Sequence, residues 1–504
     1  MRKKNLTTYL LICGVSLLVL GACKKSFLES KPDGLIFESN YYSNSIEAMT
    51  GLTAAYNPLG WEAGGTDGTF ISKLGALNSG SDECYAGGGS STDMTSWQAM
   101  DNYTLLTAAV GPQAGLWDRN YTGIYRVNIM LSKLGKVPGL DAPTTARYTA
   151  EVKFLRAYYY FDLVRLFKNI PLIITPIPTA DIFNQVQVKP ELIYAQIEKD
   201  LKDAIPNLPA IVASTDNGRI SKGAGNALLG KVILFQNNTS RMQEAADALE
   251  LVNSSPNYHL LTNYPDIFNP DNKYNAESVF EIAHTASQSA GWGNWPSFLG
   301  NVYVETVGAR SYSGPIYLSG WGFNPFRLDF VAAMKSDPRY KYTIINIDSI
   351  TKATPGASYD HSGYNSTGYC IQKFAPLARY KAVSGDEPLN FPNYYIEIRI
   401  ADTYLMEAEA LVRAGGNIGK AQSYLDQVRA RVGLASIPVT LDNIYNERKM
   451  ELATEGHRWF DLVRTGKAAT VLAAKKFKAG TNEILPIPLY ELNNTKLVQN
   501  PGYN

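Results

Sequence analysis

Polar and apolar side chains alternate with helical spacing over long stretches at both ends of the chain. In 115–135 the residues that recur every three or four positions are Trp117, Tyr121, Ile124, Tyr125, Asn128 and Leu131. In 145–168 they are Val152, Leu155, Tyr159, Leu163 and Leu166, and Pro171 follows the predicted stop. The same periodicity predicts helices at 190–205, 221–236, 241–253, 394–414, 418–431 and 441–464. The pattern therefore predicts a mainly α-helical fold, in which Trp117 and Trp459 serve packing.

Two pairs of these helices resemble copies of one structural unit. Leu229 and Ala245 are sixteen residues apart, as are Leu405 and Ala421, and each alanine is followed four residues later by a leucine, Leu249 or Leu425. A small residue at this place lets paired helices approach closely, as in a tetratricopeptide-like hairpin. The spacing predicts a scaffold of such helical hairpins.

Between about 255 and 393 the helical periodicity fades, and Gly, Pro, Asn, Ser and Tyr become frequent. Within 285–330 four residues are charged, Glu305, Arg310, Arg327 and Asp329, whereas ten of the 46 residues are aromatic. Linkers and disordered tails are polar and poor in aromatic residues, so this stretch is expected to fold against the helices. Residues 60–103 have a similar composition on a smaller scale.

The aromatic residues of these two loop regions are the candidates for ligand binding. Sugar rings present flat C–H faces that stack on Trp and Tyr, and their hydroxyl groups need hydrogen-bonding partners, among which Arg310 lies near the aromatic loops in sequence. The same side chains are equally compatible with a satellite hydrophobic core beneath long loops. The predicted ligand-binding residues are Asp82, Tyr85, Trp97, Asn102, Trp292, Trp295 and Trp321.

The first residues carry an export signal. Met1-Arg2-Lys3-Lys4 is basic, residues 10–20 are apolar except for Ser16, and Leu20-Gly21-Ala22-Cys23 follows. An apolar run of this length is shorter than the ~20 residues that a membrane-spanning helix needs. We therefore expect residues 1–22 to be a signal peptide and Cys23 to carry a lipid anchor, in preference to an ordinary cleaved signal or an uncleaved helix.

Charge and cysteine content exclude several classes of function. Without residues 1–22 the chain has 44 basic residues (47 minus three) and 46 acidic ones, a net charge near −2, and no basic stripe that favours nucleic acid. The mature part retains two cysteines, Cys84 and Cys370, with no CxxC pair that would indicate zinc or redox chemistry. A disulfide between them remains an open alternative to two single buried thiols. We expect no metal and no cofactor.

The motifs of phosphate binding and of hydrolysis give no clear catalytic site. Residues 225–231 match the start of a P-loop, but Val232 replaces the required hydroxyl residue and the segment has a helical pattern. On 441–464, Glu447, Glu451, Glu455 and Asp461 alternate with Arg448, Arg458 and Arg464 at spacings of three and four, which predicts a paired ladder on one helix. A glycoside hydrolase using Glu451 or Glu455 is the less favoured alternative, since its two carboxylates must face each other across a sugar.

Several sequence blocks resemble the SusD/RagB family of Bacteroidota lipoproteins. They are Trp117-x3-Tyr121-x2-Ile124-x3-Asn128, Arg156-Ala-Tyr-Tyr-Tyr-Phe-Asp-Leu-Val-Arg165 with Pro171, the stretch 398–434, the block 446–464 with its Glu-Gly-His-Arg-Trp-Phe-Asp-Leu core, Leu485-Pro-Ile-Pro488 and Asn500-Pro-Gly-Tyr503. The resemblance covers nearly the whole mature chain. It implies four tetratricopeptide-like hairpins, no catalysis, and a position over a TonB-dependent, SusC-like transporter in the outer membrane. The family motifs transfer no ligand-binding residue.

The signal sequence, composition and periodicity predict a domain organisation, and the resemblance implies a function. We expect a signal peptide (1–22), a lipidated tether (23–40), a helical scaffold (41–254) with binding loops at 60–103, a loop-rich ligand-binding region (255–393) and a C-terminal helical part (394–504). The expected function is to bind oligosaccharide or polysaccharide at the cell exterior and deliver it to the transporter. Lys24-Lys25 departs from the acidic residues that often follow the cysteine of surface-exported members. Peptide uptake and a scaffold that binds only proteins are the alternatives.

Overall fold

The computed structural model describes residues 42–61, 72–286, 290–292 and 300–503. In these residues the helices are α1 (Ser45–Tyr56), α2 (Lys73–Gly80), α3 (Thr95–Asp101), α4 (Gln113–Lys133), α5 (Ala142–Phe167), α6 (Pro190–Ala204), α7 (Lys222–Phe235), α8 (Met242–Asn253), α9 (Tyr303–Val307), α10 (Leu328–Met334), α11 (Tyr340–Thr343), α12 (Ile347–Ala353), α13 (Ile400–Ala414), α14 (Ile418–Arg431), α15 (Leu441–Glu451), α16 (Arg458–Arg464), α17 (Ala468–Val471) and α18 (Leu489–Leu492). The strands are β1 (Ile170–Pro171), β2 (Gln187–Val188), β3 (Ser278–Ile282), β4 (Ile344–Asn346), β5 (Tyr369–Ile371) and β6 (Tyr395–Arg399). The predicted mainly α-helical fold is confirmed.

The long helices form a scaffold in which each packs against its neighbours in sequence. The pairs α4–α5, α5–α6, α7–α8 and α13–α14 pack together, and α8 also packs against α13. Ala245 and Ala421 are fully buried, as are Leu249 and Leu425. The hairpins predicted from the spacing of these residues are therefore present.

A glycine sets the distance between α7 and α8. A Cβ added to Gly230 would lie 2.5 Å from Cγ of Leu249 and 3.1 Å from the carbonyl oxygen of Ala245. We expect Gly230→Ala to lower the free energy of unfolding by about 1–3 kcal/mol, because overpacking outweighs the gain of up to ~1 kcal/mol in helix propensity. Urea denaturation measures the change. Gly419→Ala, on the open first turn of α14, is the matched control and should leave stability unchanged or raised.

Two predicted helices differ from the structure. Residues 395–399 of the predicted 394–414 helix form strand β6, since they pair antiparallel with β3 before α13 begins. The predicted 441–464 helix is wrong as one element: it is α15 and α16, separated by a turn in which Thr454 and Gly456 have φ of +66° and +77°. A right-handed helix cannot pass through residues in that conformation. The P-loop-like segment lies inside α7, as its helical pattern predicted.

The loop-rich middle of the chain packs directly on the scaffold. Three two-stranded antiparallel sheets are present in the described part of the chain, β1–β2, β3–β6 and β4–β5. The ring of Phe280 on β3 makes edge contacts with Phe154 and Tyr158 of α5, at centroid distances of 5.2 and 5.6 Å. A single buried apolar cluster includes residues of the helices and of this middle region. The expectation that the middle region folds against the helices is confirmed.

The structure also bears on the possible Cys84–Cys370 disulfide and on membrane-spanning helices. Cys84 is buried and Cys370 is half-buried, and neither forms a disulfide. Across the described residues, none of the helices has the length and apolar character needed to cross a bilayer. The predicted signal peptide at 1–22 and the predicted lipidation site Cys23 lie outside the described residues.

Candidate functional site

Two tryptophans from separate loops form an exposed ring platform. The rings of Trp292 and Trp321 stack with centroids 6.3 Å apart and planes inclined by 23°. Trp292 is 42% exposed and Trp321 is half-buried. Two nearly parallel aromatic rings, one of them well exposed, offer an apolar surface of the kind on which the C–H face of a sugar stacks. We call this pair the tryptophan platform.

Backbone hydrogen bonds and packing hold both tryptophans in place. The Trp321 amide donates to the carbonyl oxygen of Glu305 at 3.0 Å, and the Trp321 side chain packs on the buried group Ala290, Val302 and Leu389. The Trp292 amide donates to Oδ2 of Asp386 at 2.7 Å. The platform is therefore fixed by the protein before any ligand binds, which reduces the entropy lost on binding.

Polar side chains lie directly beside the platform. Nη1 of Arg310 donates to the carbonyl oxygen of Trp321 at 3.3 Å, and Nε donates to Oδ2 of Asp360 at 3.1 Å. Arg310 and Asp360 are each about one third exposed, at 34% and 33%. Hydrogen bonds from Ser362 lower the pKa of Asp360, so the carboxylate is ionised at neutral pH. The pair supplies donors and acceptors at the edge of an aromatic surface, which is the combination that sugar hydroxyl groups require.

The conformation of Gly322 allows Arg310 to take this position. Gly322 has φ of +77°, and an added Cβ would lie 2.9 Å from Cβ of Arg310. A side chain at Gly322 would therefore be strained and would displace Arg310. Nearby, the amide of Tyr364, whose side chain is 38% exposed, donates to the carbonyl oxygen of Gly88 at 2.8 Å.

Glu305, whose backbone carbonyl oxygen accepts the Trp321 amide hydrogen bond, has a buried carboxyl side chain. Glu305 is 4% exposed, and its Oε2 has no hydrogen-bond partner in the described structure. Burial, with a smaller contribution from the charge of Glu387, raises the pKa of Glu305 to about 8. The side chain is therefore mostly protonated at neutral pH.

This raised pKa predicts a pH-dependent stability. The unfolded side chain ionises near pH 4.5 while the folded one keeps its proton up to about pH 8, so the folded protein is progressively destabilised as pH rises between these values. Glu305→Gln cannot ionise, and we expect its stability relative to wild type to increase from pH 5 to pH 8. Urea denaturation at both pH values measures this difference. A difference that does not change with pH would show that Glu305 is already ionised in the folded protein.

Four of the predicted ligand-binding residues do not join the platform. Trp97 is 1% exposed and packs on Phe323 in the core, so it cannot stack on a ligand. Asp82 forms ion pairs with Arg458 and Lys449 at 2.6 and 2.9 Å, which commits its carboxylate to the scaffold. The remaining two have structural contacts, Tyr85 against the Arg327 guanidinium and Asn102 as the N-cap of a 3-10 turn. Trp295 lies outside the described residues.

The carboxylates of the alternative hydrolase are buried in an ion-pair cluster. Arg399 contacts Glu277 and Glu451 through Nη1, at 2.8 and 2.6 Å, and Glu455 through Nε, at 2.7 Å. Lys373 contacts Glu455 at 2.7 Å. Arg339 and Arg431 also contact Glu451, and we call these two arginines and the five side chains above the buried ion-pair cluster. The predicted ladder is therefore confirmed only in part: Asp461 contacts Arg464 and Arg448 as members of the set, whereas Glu451 and Glu455 pair with residues from other elements.

The protonation states in this cluster are unsuited to acid–base catalysis. Burial raises the pKa of Glu451, but Arg431, Arg399 and Arg339 outweigh it and hold the pKa well below the ordinary value. The pKa of Glu455 is lowered in the same way by Arg399 and Lys373. A general acid must carry a proton near neutral pH and must reach substrate. Both carboxylates are ionised and at most 1% exposed, so they meet neither condition.

Sequence reasoning did not find every residue of the platform region. Asp386, which fixes Trp292, lies 94 residues away in sequence. Glu305 was visible as one of the few charged residues of an aromatic stretch, but its burial was not. Within the described residues, no group of three or more potential ligands is arranged to hold a metal ion.

Comparisons with known proteins agree with this fold. A model described as the SusD family matches residues 330–503, and one described as starch-binding associating with outer membrane matches 75–234. A SusD-like protein of Formosa agariphila is 25% identical over 540 residues, covering 95% of this chain and 96% of that protein. Starch-binding protein SusD of Bacteroides thetaiotaomicron is 23% identical over 443 residues, covering 73% of this chain and 75% of that protein.

Solved structures are similar over nearly the whole chain. A laminarin binding SusD-like protein superposes with a TM-score of 0.86 at 44% identity, covering 92% of this chain and 100% of that one. Surface glycan-binding protein A from Bacteroides thetaiotaomicron, in complex with laminarihexaose, gives a TM-score of 0.83 at 28% identity, covering 91% and 99%. Identity of 44% over the full length of a SusD-like protein, together with the two matching family models, shows that this chain belongs to the SusD family.

Proposed function

We propose that this protein is a non-catalytic glycan-binding lipoprotein whose tryptophan platform binds a laminarin-type β-glucan. The observation that carries the proposal is the pair of stacked, accessible rings of Trp292 and Trp321, with Arg310 and Asp360 beside them. The choice of glucan is supported by two similar structures, one described as laminarin binding and one in complex with laminarihexaose. The proposed ligands are therefore laminarin and the oligosaccharides derived from it.

Affinity electrophoresis of the purified protein in gels containing laminarin, starch or xyloglucan tests this proposal. We expect laminarin to retard migration strongly and the other two glycans to have little effect. Calorimetry with laminarihexaose then measures the affinity, and the reducing ends that appear during a long incubation report any hydrolysis. Absence of binding to every glycan, or release of shorter products, would contradict the proposal.

The proposal includes a place at the outer membrane, next to a SusC-like TonB-dependent transporter that receives the glycan. The lipobox ending at Cys23 and the family relationship support it. We expect Cys23→Ala to move the protein from the membrane fraction to the soluble fraction without changing laminarihexaose affinity. Protease accessibility on whole cells reports whether the wild-type protein faces the cell exterior. Copurification of a barrel transporter with the wild-type protein tests the partner.

A further inference from the structure

A second concave site lies between the scaffold and strand β3. It is a cleft of about 250 Å³, and none of its residues belongs to the tryptophan platform. Its wall is formed by the loop before α7, by Tyr258 after α8, and by residues 274–281, which include β3. A volume below the roughly 300–1,000 Å³ of pockets for drug-sized ligands fits one small molecule rather than a chain.

The cleft contains a carboxyl group with one oxygen left available. Glu281 is 8% exposed, and its Oε2 accepts hydrogen bonds from the Tyr274 amide and the Ser278 hydroxyl, both at 2.8 Å. For Oε1 the described structure gives no hydrogen-bond partner. Burial raises the pKa of Glu281 to about 7, so near neutral pH the protonated and ionised forms are both populated. The carboxyl group can therefore donate a hydrogen bond to a ligand or accept one from it.

The backbone beside Glu281 is held in an unfavourable conformation. Tyr274 has φ of +53°, a region that residues with a bulky side chain rarely adopt. The amide hydrogen bond to Glu281 maintains it, and the Tyr274 ring contacts Tyr394 edge-on at 5.3 Å. Strained residues of this kind cluster at binding sites, where the strain fixes a side chain in advance.

A glycine keeps the entrance of the cleft open next to this tyrosine. Gly218 has φ of +93°, and an added Cβ would lie 3.0 Å from the Tyr274 hydroxyl oxygen. Asn217 beside it is exposed and lines the cleft. On the opposite side the Tyr258 hydroxyl is 2.8 Å from the Ser221 hydroxyl. The cleft thus presents ring faces, an amide and a carboxyl group around one small volume.

We propose that this cleft is a second binding site, and that its ligand is a single neutral sugar residue. Tyr274 and Tyr258 provide surfaces for the C–H face of a pyranose, and Glu281 and Asn217 provide partners for its hydroxyl groups. A cationic ligand fits less well, because Arg219 lines the cleft and Lys273 already lies close enough to Glu281 to lower its pKa. The identity of the sugar as glucose rests on the proposed function, since glucose is the repeating unit of laminarihexaose.

Saturation-transfer NMR with glucose tests the site. For wild type we expect a saturable signal with a Kd on the order of 1 mM, typical of one ring with few hydrogen bonds. Tyr274→Asn removes the ring but keeps a residue that tolerates positive φ, so the fold should be retained while affinity falls about tenfold. Asn217→Leu, at an exposed position, should weaken binding similarly. Tyr125→Asn, an exposed tyrosine on α4, is the control and should leave the signal unchanged.

Trp321→Ala separates this site from the platform. We expect this variant to keep the glucose signal while losing affinity for laminarihexaose. Glucose binding that survives Tyr274→Asn and Asn217→Leu, or that disappears in Trp321→Ala, would overturn the second site. Binding of laminarihexaose by wild type without any glucose signal would overturn the second site and leave the proposed function intact. Glucose binding confined to the cleft, without glycan binding, would overturn the proposed function alone.

Discussion

Arg399→Ala is expected to lower the free energy of unfolding by about 3–5 kcal/mol, the usual cost of removing one partner from a buried ion pair. Arg399 is 1% exposed and contacts Glu277, Glu451 and Glu455. Arg399 is the last residue of strand β6, and Glu277 immediately precedes β3. Glu451 is the last residue of α15, and Glu455 lies in the turn after it. The substitution therefore leaves part of the negative charge of three elements unneutralised where water cannot reach it.

Urea denaturation and thermal unfolding of the purified variant measure this loss. Arg399→Lys keeps one positive charge but loses the paired contacts of the guanidinium, so we expect an intermediate loss of stability. Arg379→Ala is the matched control, because Arg379 is exposed and the change should stay within about 0.5 kcal/mol of wild type. A loss below about 1 kcal/mol in Arg399→Ala would show that the buried ion-pair cluster contributes little net stability.

The position of this cluster explains why the family block at 446–464 is rich in charge. Read as sequence alone, its alternating signs suggest a surface ladder, because residues three and four apart are neighbours on a helix. The structure breaks that helix at Thr454 and Gly456, and directs Glu451 and Glu455 inward toward Arg399. Partners more than 50 residues apart cannot be identified from local spacing.

Helices were largely predictable for the opposite reason. Their signal is local: the stripe that predicted α5 is entirely buried, and most of the stripe that predicted α4 is buried or half-buried, with Tyr125 the exposed exception. The hairpin spacing of Ala245 and Leu249 was also informative, because close packing demands a small residue at a fixed position. Strand β6 was missed because its alternation of apolar and charged residues, Ile396-Glu397-Ile398-Arg399, is short and leads directly into the helical pattern of α13.

The candidate site was predictable only in part. A stretch rich in rings and poor in charge pointed to Trp292 and Trp321, which the structure brings together, but the same argument selected the buried Trp97. The difference lies at Gly75, where an added Cβ would be 1.9 Å from the Trp97 ring: a helix without a side chain there lets the indole enter the core. The sequence of α2 around Gly75 and the sequence of α3 around Trp97 do not show that these two helices meet. Composition alone does not distinguish a buried tryptophan from an exposed one.

Trp321→Ala is expected to weaken laminarihexaose binding about 30-fold, corresponding to about 2 kcal/mol, because a central aromatic side chain carries much of the energy of an interface. Trp321 stacks against Trp292, so its removal takes away one of the two rings of the platform. Arg310 donates to the backbone carbonyl oxygen of residue 321, an acceptor that alanine keeps, so the expected loss is attributed to the ring. Calorimetry measures the affinity, and thermal unfolding checks the fold, since Trp321 also packs on Val302 and Leu389.

Two further variants separate loss of the ring from loss of the fold. Trp292→Ala removes the more exposed ring, at 42% exposure, and should reduce affinity with little change in stability. Tyr125→Ala removes a ring that is 55% exposed on α4 and should change neither quantity. Affinity within about twofold of wild type in both tryptophan variants, a difference under ~0.5 kcal/mol, would place the glycan elsewhere. A loss in the tryptophan variants alone would tie glycan affinity to the tryptophan platform.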